Sequence, residues 1–293
     1  MKSRQFIFIL LFISILSSFT FYTYGNNGSS DNSVNICSNE QHGSYRKIIQ
    51  ELYSCKEMPA NELMIKAALL RLETPYVANT LERDGSEELY VNIDKTDCIL
   101  FVESCLALVQ SVKSGDTTYA GFCKNIQNLR YRDGVINGYP SRLHYTSEWL
   151  LQAQKNGLIK EISGDIAATA LNQKFSFMTE NYGRYKHLKD NPENINKIKS
   201  AEEYLNSHEY FYIPKDKIDE YASKIKNGDI LGFCTSVNGL DLSHVGIAYW
   251  ENGRLTFIHA SMKAMKVIIE PKTLSEYACS GKSTIGIRVA RPL

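Results

Sequence analysis

The sequence lacks the features that mark several common functional classes. It contains neither a Cys-x-x-Cys pair nor a His-Glu-x-x-His motif, so neither a zinc knuckle nor a zincin-type metal site is indicated. Lys and Arg total 33 against 32 Asp and Glu, and the net charge of +1 does not favour nucleic acid or an acidic membrane as a partner. We therefore predict no metal, no other cofactor and no nucleic-acid partner.

Separators between domains are also missing. No internal repeat is visible, and no Gly/Ser-rich linker interrupts the chain after its N-terminal segment. The 293 residues allow one large domain or two modest ones. We predict a single domain over residues 44–293.

The one long apolar run lies at the N-terminus. Two basic residues precede the run FIFILLFISILSSF, which is typical of a signal-peptide core and short for a membrane span. We predict a signal peptide over residues 1–25 and a flexible mature N-terminus over residues 26–43. The alternative is an uncleaved anchor. After cleavage the protein would have no membrane span, and we expect it to be exported, with the periplasm favoured.

Cysteine occurs seven times, an odd number for an exported protein. Cys37 and Cys55 flank the start of the predicted folded part and could form a disulfide. Cys105 lies one heptad after Cys98 in an apolar stretch and is predicted to be a buried free thiol. At least one thiol stays unpaired in a monomer, which is the oligomeric state that we expect.

Helical and β patterns occupy different parts of the chain. Apolar residues three and four apart predict helices between about residues 44 and 72, and a further helix that ends near Gly115. Residues 116–226 are predicted to form an inserted, α-rich lobe. After Gly228, five β-rich runs follow: DILGFCT, HVGIAYW, LTFIHAS, KVIIE and IGIRVARPL. This order predicts an α+β fold with N-terminal helices packed on a five-stranded antiparallel sheet.

The Asn-Gly dipeptide at residues 252–253 predicts a two-residue hairpin with a type I′ turn. That register places His244 opposite Ser261 and His259 opposite Gly246. The two histidines then project from the same face as diagonal neighbours, with their Cβ atoms about 7 Å apart. Gly246 would leave room for the His259 imidazole to lie over the strand.

A candidate nucleophile begins the apolar stretch CILFVESCLALVQ. Cys98 follows Asp97, which is suited to cap a helix, and a helix N-terminus stabilises a thiolate and lowers the thiol pKa. We expect Cys98 to be the nucleophile, His244 its base and His259 the residue that orients the base. The alternatives are packing for Cys98, a sheet-edge position for His244, and a Cys-His-His zinc site.

These segments, in this order, resemble the NlpC-type papain-like cell-wall hydrolases, which are bacterial cysteine peptidases and amidases. The resemblance rests on Asp97-Cys98 at a helix start, followed by GDILGFC, SHVGIAYW and FIHAS, and on the Thr-Pro-Tyr of LETPYVANTLE. It implies a papain-like core and the same three roles for Cys98, His244 and His259. It also implies that Tyr76 donates its hydroxyl at the oxyanion site, with core packing as the alternative.

The sequence departs from the commonest pattern of that family, with Ile99 after the cysteine and a much longer insertion. With the segment at residues 131–149, these departures resemble the N-acetylmuramoyl-L-alanine amidase-like subfamily. Membership implies hydrolysis of the amide between N-acetylmuramic acid and L-alanine in small muropeptides, including 1,6-anhydro forms. The rival hypotheses are an endopeptidase that cuts between D-glutamate and the diamino acid, and a catalytically inactive muropeptide-binding protein.

Residues 131–149 also have the composition of a ligand-binding loop. Gly and Pro mark the segment as loop, arginine suits carboxylates, and aromatic faces suit sugar rings. Five side chains are predicted to contact the muropeptide: Arg132, Arg142, His144, Tyr145 and Trp149. The alternative is that Arg142 and His144 brace the loop internally.

Overall fold

Helices come first along the chain and the main antiparallel strands come last, as the sequence patterns predict. The computed structural model describes residues 39–293, so the predicted signal peptide and Cys37 lie outside the described residues. The α-helices are α1 (Asn39–Tyr53), α2 (Ala60–Leu69), α3 (Cys98–Ser114), α4 (Tyr119–Arg130), α5 (Thr146–Lys155), α6 (Ser163–Ile166), α7 (Phe177–Glu180), α8 (Pro192–Asn206), α9 (Ile218–Tyr221) and α10 (Leu274–Ser280).

The sheet contains eight strands rather than the five predicted. They are β1 (Ile159–Glu161), β2 (Thr169–Ala170), β3 (Phe211–Pro214), β4 (Ile230–Thr235), β5 (Leu242–Glu251), β6 (Arg254–Ser261), β7 (Lys266–Ile269) and β8 (Thr284–Pro292). The order is β2-β3-β8-β4-β5-β6-β7, and β1 also pairs with β8. The five predicted runs correspond to β4–β8.

The three additional strands lie inside the predicted α-rich insertion. β1 and β3 both pair antiparallel with β8, and β2 pairs with β3. They are two to four residues long, too short for a periodic sequence signal. By covering the edge of β8 they satisfy backbone groups that would otherwise be exposed, so the insertion extends the sheet.

The β5–β6 hairpin has the predicted register. Glu251 pairs with Arg254, and the pairing continues to Ile247 opposite Ile258. Residues 252 and 253 both have positive φ, at 51° and 79°, as a type I′ turn requires. The turn therefore sets which residues of β5 and β6 share a face.

Alternation along the strands separates two apolar clusters. Val245, Ile247 and Ile258 pack with α2 and α3 in one cluster. Phe233 and Phe257 belong to the other, together with Leu274 and Ala278 of α10. His259 is two residues from Phe257 on β6, so its ring lies on the α10 side of the sheet.

The N-terminal boundary differs from the prediction. Helix α1 begins at Asn39, inside the stretch 26–43 that was predicted to be flexible. Cys55 has a free thiol, and its sulfur lies 2.9 Å from the Lys66 Nζ. Within residues 39–293, no helix combines the length and the apolar character needed to span a membrane.

Candidate active site

Cys98 is the first residue of α3, as predicted. The Asp97 side chain caps the helix by accepting a hydrogen bond from the Leu100 N–H at 3.0 Å. At the other end, Gly115 adopts a left-handed conformation with φ 77°, which stops the helix. The apolar middle of α3 is buried, so its first turn is anchored and the half-buried Cys98 is held in place.

The thiol of Cys98 is not acidified in this structure, and the predicted lowering of its pKa is wrong. Burial raises the pKa of the thiol to about 12, and the charge of Asp97 adds to the rise. The backbone N–H groups of Val245, Ile99 and Cys98 oppose the shift but are outweighed. The cap that makes the helix start also places a carboxylate beside the sulfur, so the resting thiol is neutral.

The two histidines meet as predicted. The Nε2 atom of His244 lies 2.7 Å from Nδ1 of His259, and the rings are nearly perpendicular. The space over Gly246 is occupied differently from the prediction, since a Cβ atom there would lie 2.7 Å from the ring of Phe257. Glycine therefore makes room for Phe257, whose ring packs 4.6 Å from that of His259.

Both imidazoles are neutral at neutral pH. Burial lowers the pKa of His244 to about 4. Burial, and then the charge of His244, lower the pKa of His259 to about 3. A neutral imidazole has a lone pair on one nitrogen, which is the state that a general base requires.

The backbone of β5 links the sulfur to the strand that carries His244. The Val245 N–H, which directly follows His244, acts on the Cys98 sulfur as a hydrogen-bond donor. Among the hydrogen bonds of the described residues, none joins the thiol to either ring. Such bonds are often long in unliganded active sites and shorten when substrate binds.

Tyr76 also lies near the sulfur. Its N–H donates to the Met265 carbonyl at 2.9 Å, and it forms a parallel bridge with Thr96. Burial raises the pKa of Tyr76 to about 12, and the charges of Cys98 and Asp97 contribute. Its hydroxyl is therefore protonated at neutral pH and available as a donor.

The sequence reasoning missed Glu270. Its Oε2 atom lies 3.3 Å from Nε2 of His259, and the residue is buried. Alternation along KVIIE would have found it only if the register between β6 and β7 had been known. The connection at residues 262–265 carries no short hairpin signal comparable to Asn-Gly, so that register was not predictable.

A cavity of about 410 Å³ opens beside the histidines. The lining residues that are relevant to the chemistry are His244, His259, Lys263, Glu270 and Tyr277. Among residues 39–293, no group of three His, Cys, Asp or Glu side chains is arranged to hold a metal ion.

Four of the five side chains predicted to contact substrate have protein partners, and the buried Trp149 Nε1 has no hydrogen-bond partner among the described residues. Arg132 pairs with Glu148 at 2.7 Å, and the Nε2 of His144 lies 2.9 Å from the Tyr139 carbonyl oxygen. Burial lowers the pKa of His144 to about 3. The remaining three are Arg142, Tyr145 and Trp149, each at most 4% exposed.

Arg142 braces the segment that precedes the nucleophile, and Tyr145 braces α8. Arg142 donates to the Leu81 carbonyl at 2.9 Å and to Glu82 at 2.6 Å, and it lies 3.6 Å from Glu87. Tyr145 donates to Glu202 at 2.7 Å. Their burial is the reason that they do not face a ligand here, and it matches the bracing alternative.

Replacing Arg142 should therefore affect stability more than substrate binding. Arg142→Ala leaves the buried Glu87 carboxylate without its cation and should lower the free energy of unfolding by about 3 kcal/mol. Urea denaturation measures this change. The control Lys155→Ala removes the exposed pair with Asp133 and should change little. A stable Arg142→Ala protein with a raised KM would instead assign Arg142 to the substrate.

Residues 67–285 match the family model of AmiA-like, N-acetylmuramoyl-L-alanine amidase-like proteins. This range contains Cys98, both histidines and Glu270. No match was found among curated proteins.

Solved structures resemble the chain over most of its length. An N-acetylmuramoyl-L-alanine amidase from Bacteroides uniformis is 36% identical, covering 80% of this chain and 99% of that chain, with a TM-score of 0.76. A Bacteroides fragilis protein named as a xylanase is 40% identical over 76% and 98% of the two chains, with a TM-score of 0.73. A Legionella pneumophila protein shares the fold, at 22% identity over 86% and 95% of the chains and a TM-score of 0.62. The chain belongs to the N-acetylmuramoyl-L-alanine amidase-like family.

Proposed function

We propose that the protein is a cysteine-dependent N-acetylmuramoyl-L-alanine amidase. Its substrate would be a peptidoglycan fragment, including the 1,6-anhydro form, and the bond hydrolysed would join N-acetylmuramic acid to L-alanine. The observation that carries the proposal is the pair of neutral, hydrogen-bonded imidazoles on β5 and β6, together with a helix-start thiol that accepts from the Val245 N–H of β5. Family membership and the name of the Bacteroides uniformis relative support this choice of bond.

In the first step the Cys98 sulfur attacks the amide carbonyl carbon. The S–H bond breaks as the S–C bond forms, and the proton moves to Nδ1 of His244, because Nε2 is engaged with His259. The carbonyl oxygen becomes an oxyanion. The hydroxyl of Tyr76 and the N–H of Cys98 would donate hydrogen bonds to it.

In the second step the C–N bond breaks and His244 gives its proton to the departing amine of L-alanine. The muramyl lactyl group remains on Cys98 as a thioester. Water then attacks the thioester carbon while His244 accepts one of its protons. Collapse of this intermediate releases the muramyl acid, and the proton on His244 returns to the sulfur.

This mechanism begins from a neutral thiol and a neutral imidazole. Burial disfavours both the thiolate and the imidazolium, so a preformed ion pair is not stable in the resting site. Proton transfer must accompany attack, as it does for a serine nucleophile. Bound substrate, by excluding water, would bring the thiol and His244 into closer contact.

A glycosidase is a weaker hypothesis, raised by the name of the Bacteroides fragilis relative. Glycosidases generally need two carboxyl groups, one on each side of the scissile bond. Among the residues that line the histidine cavity, Glu270 is the only carboxylate, and it lies against His259. The site is better equipped for acyl transfer.

Digestion of defined muropeptides tests the proposed bond. The purified protein should convert a 1,6-anhydromuramyl peptide into free anhydro sugar and an intact peptide with L-alanine at its N-terminus, as measured by mass spectrometry. Release of a fragment that retains the sugar with L-Ala-D-Glu would identify the rival endopeptidase. Binding without any cleavage would identify the inactive muropeptide-binding protein.

We further propose that residues 1–25 direct export and are removed, and that the mature protein acts in the periplasm as a monomer. The apolar run at the N-terminus and the chemistry of the substrate support this location. We also infer a papain-like, NlpC-type core. Its support is the combination of a cysteine-led helix, α3, packed on an antiparallel sheet with histidines on β5 and β6.

A further inference from the structure

Glu270 lies beside His259, and the proposed mechanism needs a group that fixes the tautomer of that imidazole. Its N–H donates to the Phe257 carbonyl at 2.9 Å, which sets Glu270 opposite Phe257 at the end of β7. Residues opposite each other share a face, so Glu270 lies on the same side as Phe257 and His259. The residue is 7% exposed, and a buried carboxylate is costly unless it has partners.

The partner is the far side of His259. Oε2 of Glu270 lies 3.3 Å from Nε2 of that ring, whereas Oε1 accepts from the Lys272 N–H at 3.2 Å. The imidazole Nε2 is buried, and no hydrogen bond of good geometry reaches it from the described residues. The carboxylate is therefore close but not aligned, and it is the nearest acceptor recorded for that nitrogen.

The contacts favour one assignment of protons. A carboxylate only accepts, so its charge beside Nε2 of His259 favours the tautomer that carries the hydrogen on that nitrogen and leaves Nδ1 bare. That bare Nδ1 lies 2.7 Å from Nε2 of His244, which must then donate. Nδ1 of His244 is left with a lone pair, as the first step of the proposed reaction requires.

Without the carboxylate, the opposite assignment becomes available. His259 could carry its hydrogen on Nδ1 and donate to His244, which would then carry its own hydrogen on Nδ1. In that state His244 has no lone pair with which to accept the thiol proton. The sulfur would remain protonated, so the position of one hydrogen decides whether the base works.

We propose that Glu270 is a positioning residue that selects the productive tautomers of His259 and, through it, of His244. The inference rests on the proposed amidase chemistry, but the tautomers are a property of the resting protein. Two further ionisable groups line this side of the cavity. Tyr277 on α10 packs 5.8 Å from the His259 ring, and Lys263 lies exposed in the turn after β6.

The neighbouring tyrosine independently indicates that the charge of Glu270 acts inside the cavity. Burial raises the pKa of Tyr277 to about 12, and the charge of Glu270 is the next cause, ahead of Cys98. Tyr277 thus stays protonated. It therefore places no second negative charge beside His259.

Nitrogen-15 NMR of the histidine side chains tests this inference directly. In the wild-type resting protein at pH 7, both His259 and His244 should carry the hydrogen on Nε2, with Nδ1 bare. Glu270→Ala should shift both rings toward the other tautomer and lower kcat by about 10- to 100-fold with little change in KM. Glu270→Gln has an amide oxygen that can still accept, and it should restore most of both properties.

Glu251→Gln, at the hairpin end of β5 and away from the cavity, is the matched control and should match the wild type. Wild-type rings with the hydrogen on Nδ1 would overturn the proposal without any variant. So would Glu270→Ala protein with unchanged tautomers and kcat. If no muropeptide is cleaved by the wild type, the proposed function fails, while the NMR result still decides the role of Glu270.

Discussion

Cys98→Ala protein should fold normally and lose at least about 10⁴-fold in kcat on muropeptides. The sulfur is the only protein atom that bonds to the substrate carbonyl carbon in the proposed mechanism, so no other side chain can replace it. The methyl group of alanine suits the first turn of a helix. The cap from Asp97 to the Leu100 N–H does not involve the thiol, so α3 should be retained.

Turnover and thermal unfolding should be measured on the same preparations, with a chelator present in parallel assays. Cys279→Ser, which changes an exposed thiol on α10, is the matched control and should retain activity. Wild-type turnover by Cys98→Ala protein in the presence of chelator would remove the nucleophile from the proposal. In the wild type, alkylation of Cys98 should block turnover. Cys279 should be labelled equally in the wild type and in Cys98→Ala protein.

His244→Ala is expected to lower kcat by about 10³-fold, within the range of general acid–base catalysis. The thiol pKa of about 12 makes this dependence strong, because very little thiolate exists at neutral pH without a base. His208→Ala removes a histidine two residues after the end of α8 and should leave kcat unchanged. Activity of His244→Ala close to the wild type would mean that another group takes the thiol proton.

The same histidine sets the expected pH dependence of kcat/KM. Because the pKa of His244 is lowered to about 4, the base stays neutral down to that pH, and activity should fall as the pH drops through about 4. The hydrogen-bonded pair titrates as a unit, so the limb belongs to both rings. A limb near 6.5, the value of an unperturbed histidine, would contradict the burial of this site.

Folding must be followed across the same range. The folded-state pKa values of both histidines lie below the unfolded value, so the unfolded state binds more protons between about pH 3 and 6.5. The free energy of unfolding therefore falls as the pH is lowered through that window. Circular dichroism at each pH separates loss of the base from loss of the fold.

Local signals were sufficient where a few neighbouring residues decide the conformation. Asp97 caps α3 and Gly115 ends it through contacts within one turn, so both helix limits were predictable. The Asn-Gly turn set the β5–β6 register and thereby the meeting of His244 and His259. The strands β4–β8 are rich enough in β-branched and aromatic residues to be recognised from their composition.

Contacts between residues that lie far apart in the chain could not be predicted from the sequence. The strands β1 and β3 exist because β8 offers an edge, and the 159–161 and 211–214 segments carry no strong signal of their own. The guanidinium group of Arg142 is suited to bind a substrate carboxylate. Its partners lie about 60 positions earlier in the chain, and Arg142 stabilises that segment instead.

The sequence by itself determined the order of elements, the helix that begins at Cys98 and the shared face of the two histidines, since each depends on residues close together in the chain. Tertiary structure alone decided that Glu270 lies beside His259 and that burial keeps the thiol neutral. The physical reason is that a pKa and a hydrogen-bond partner depend on solvent exclusion and on charges brought together by folding. Neither quantity is encoded in the spacing of residues along one segment.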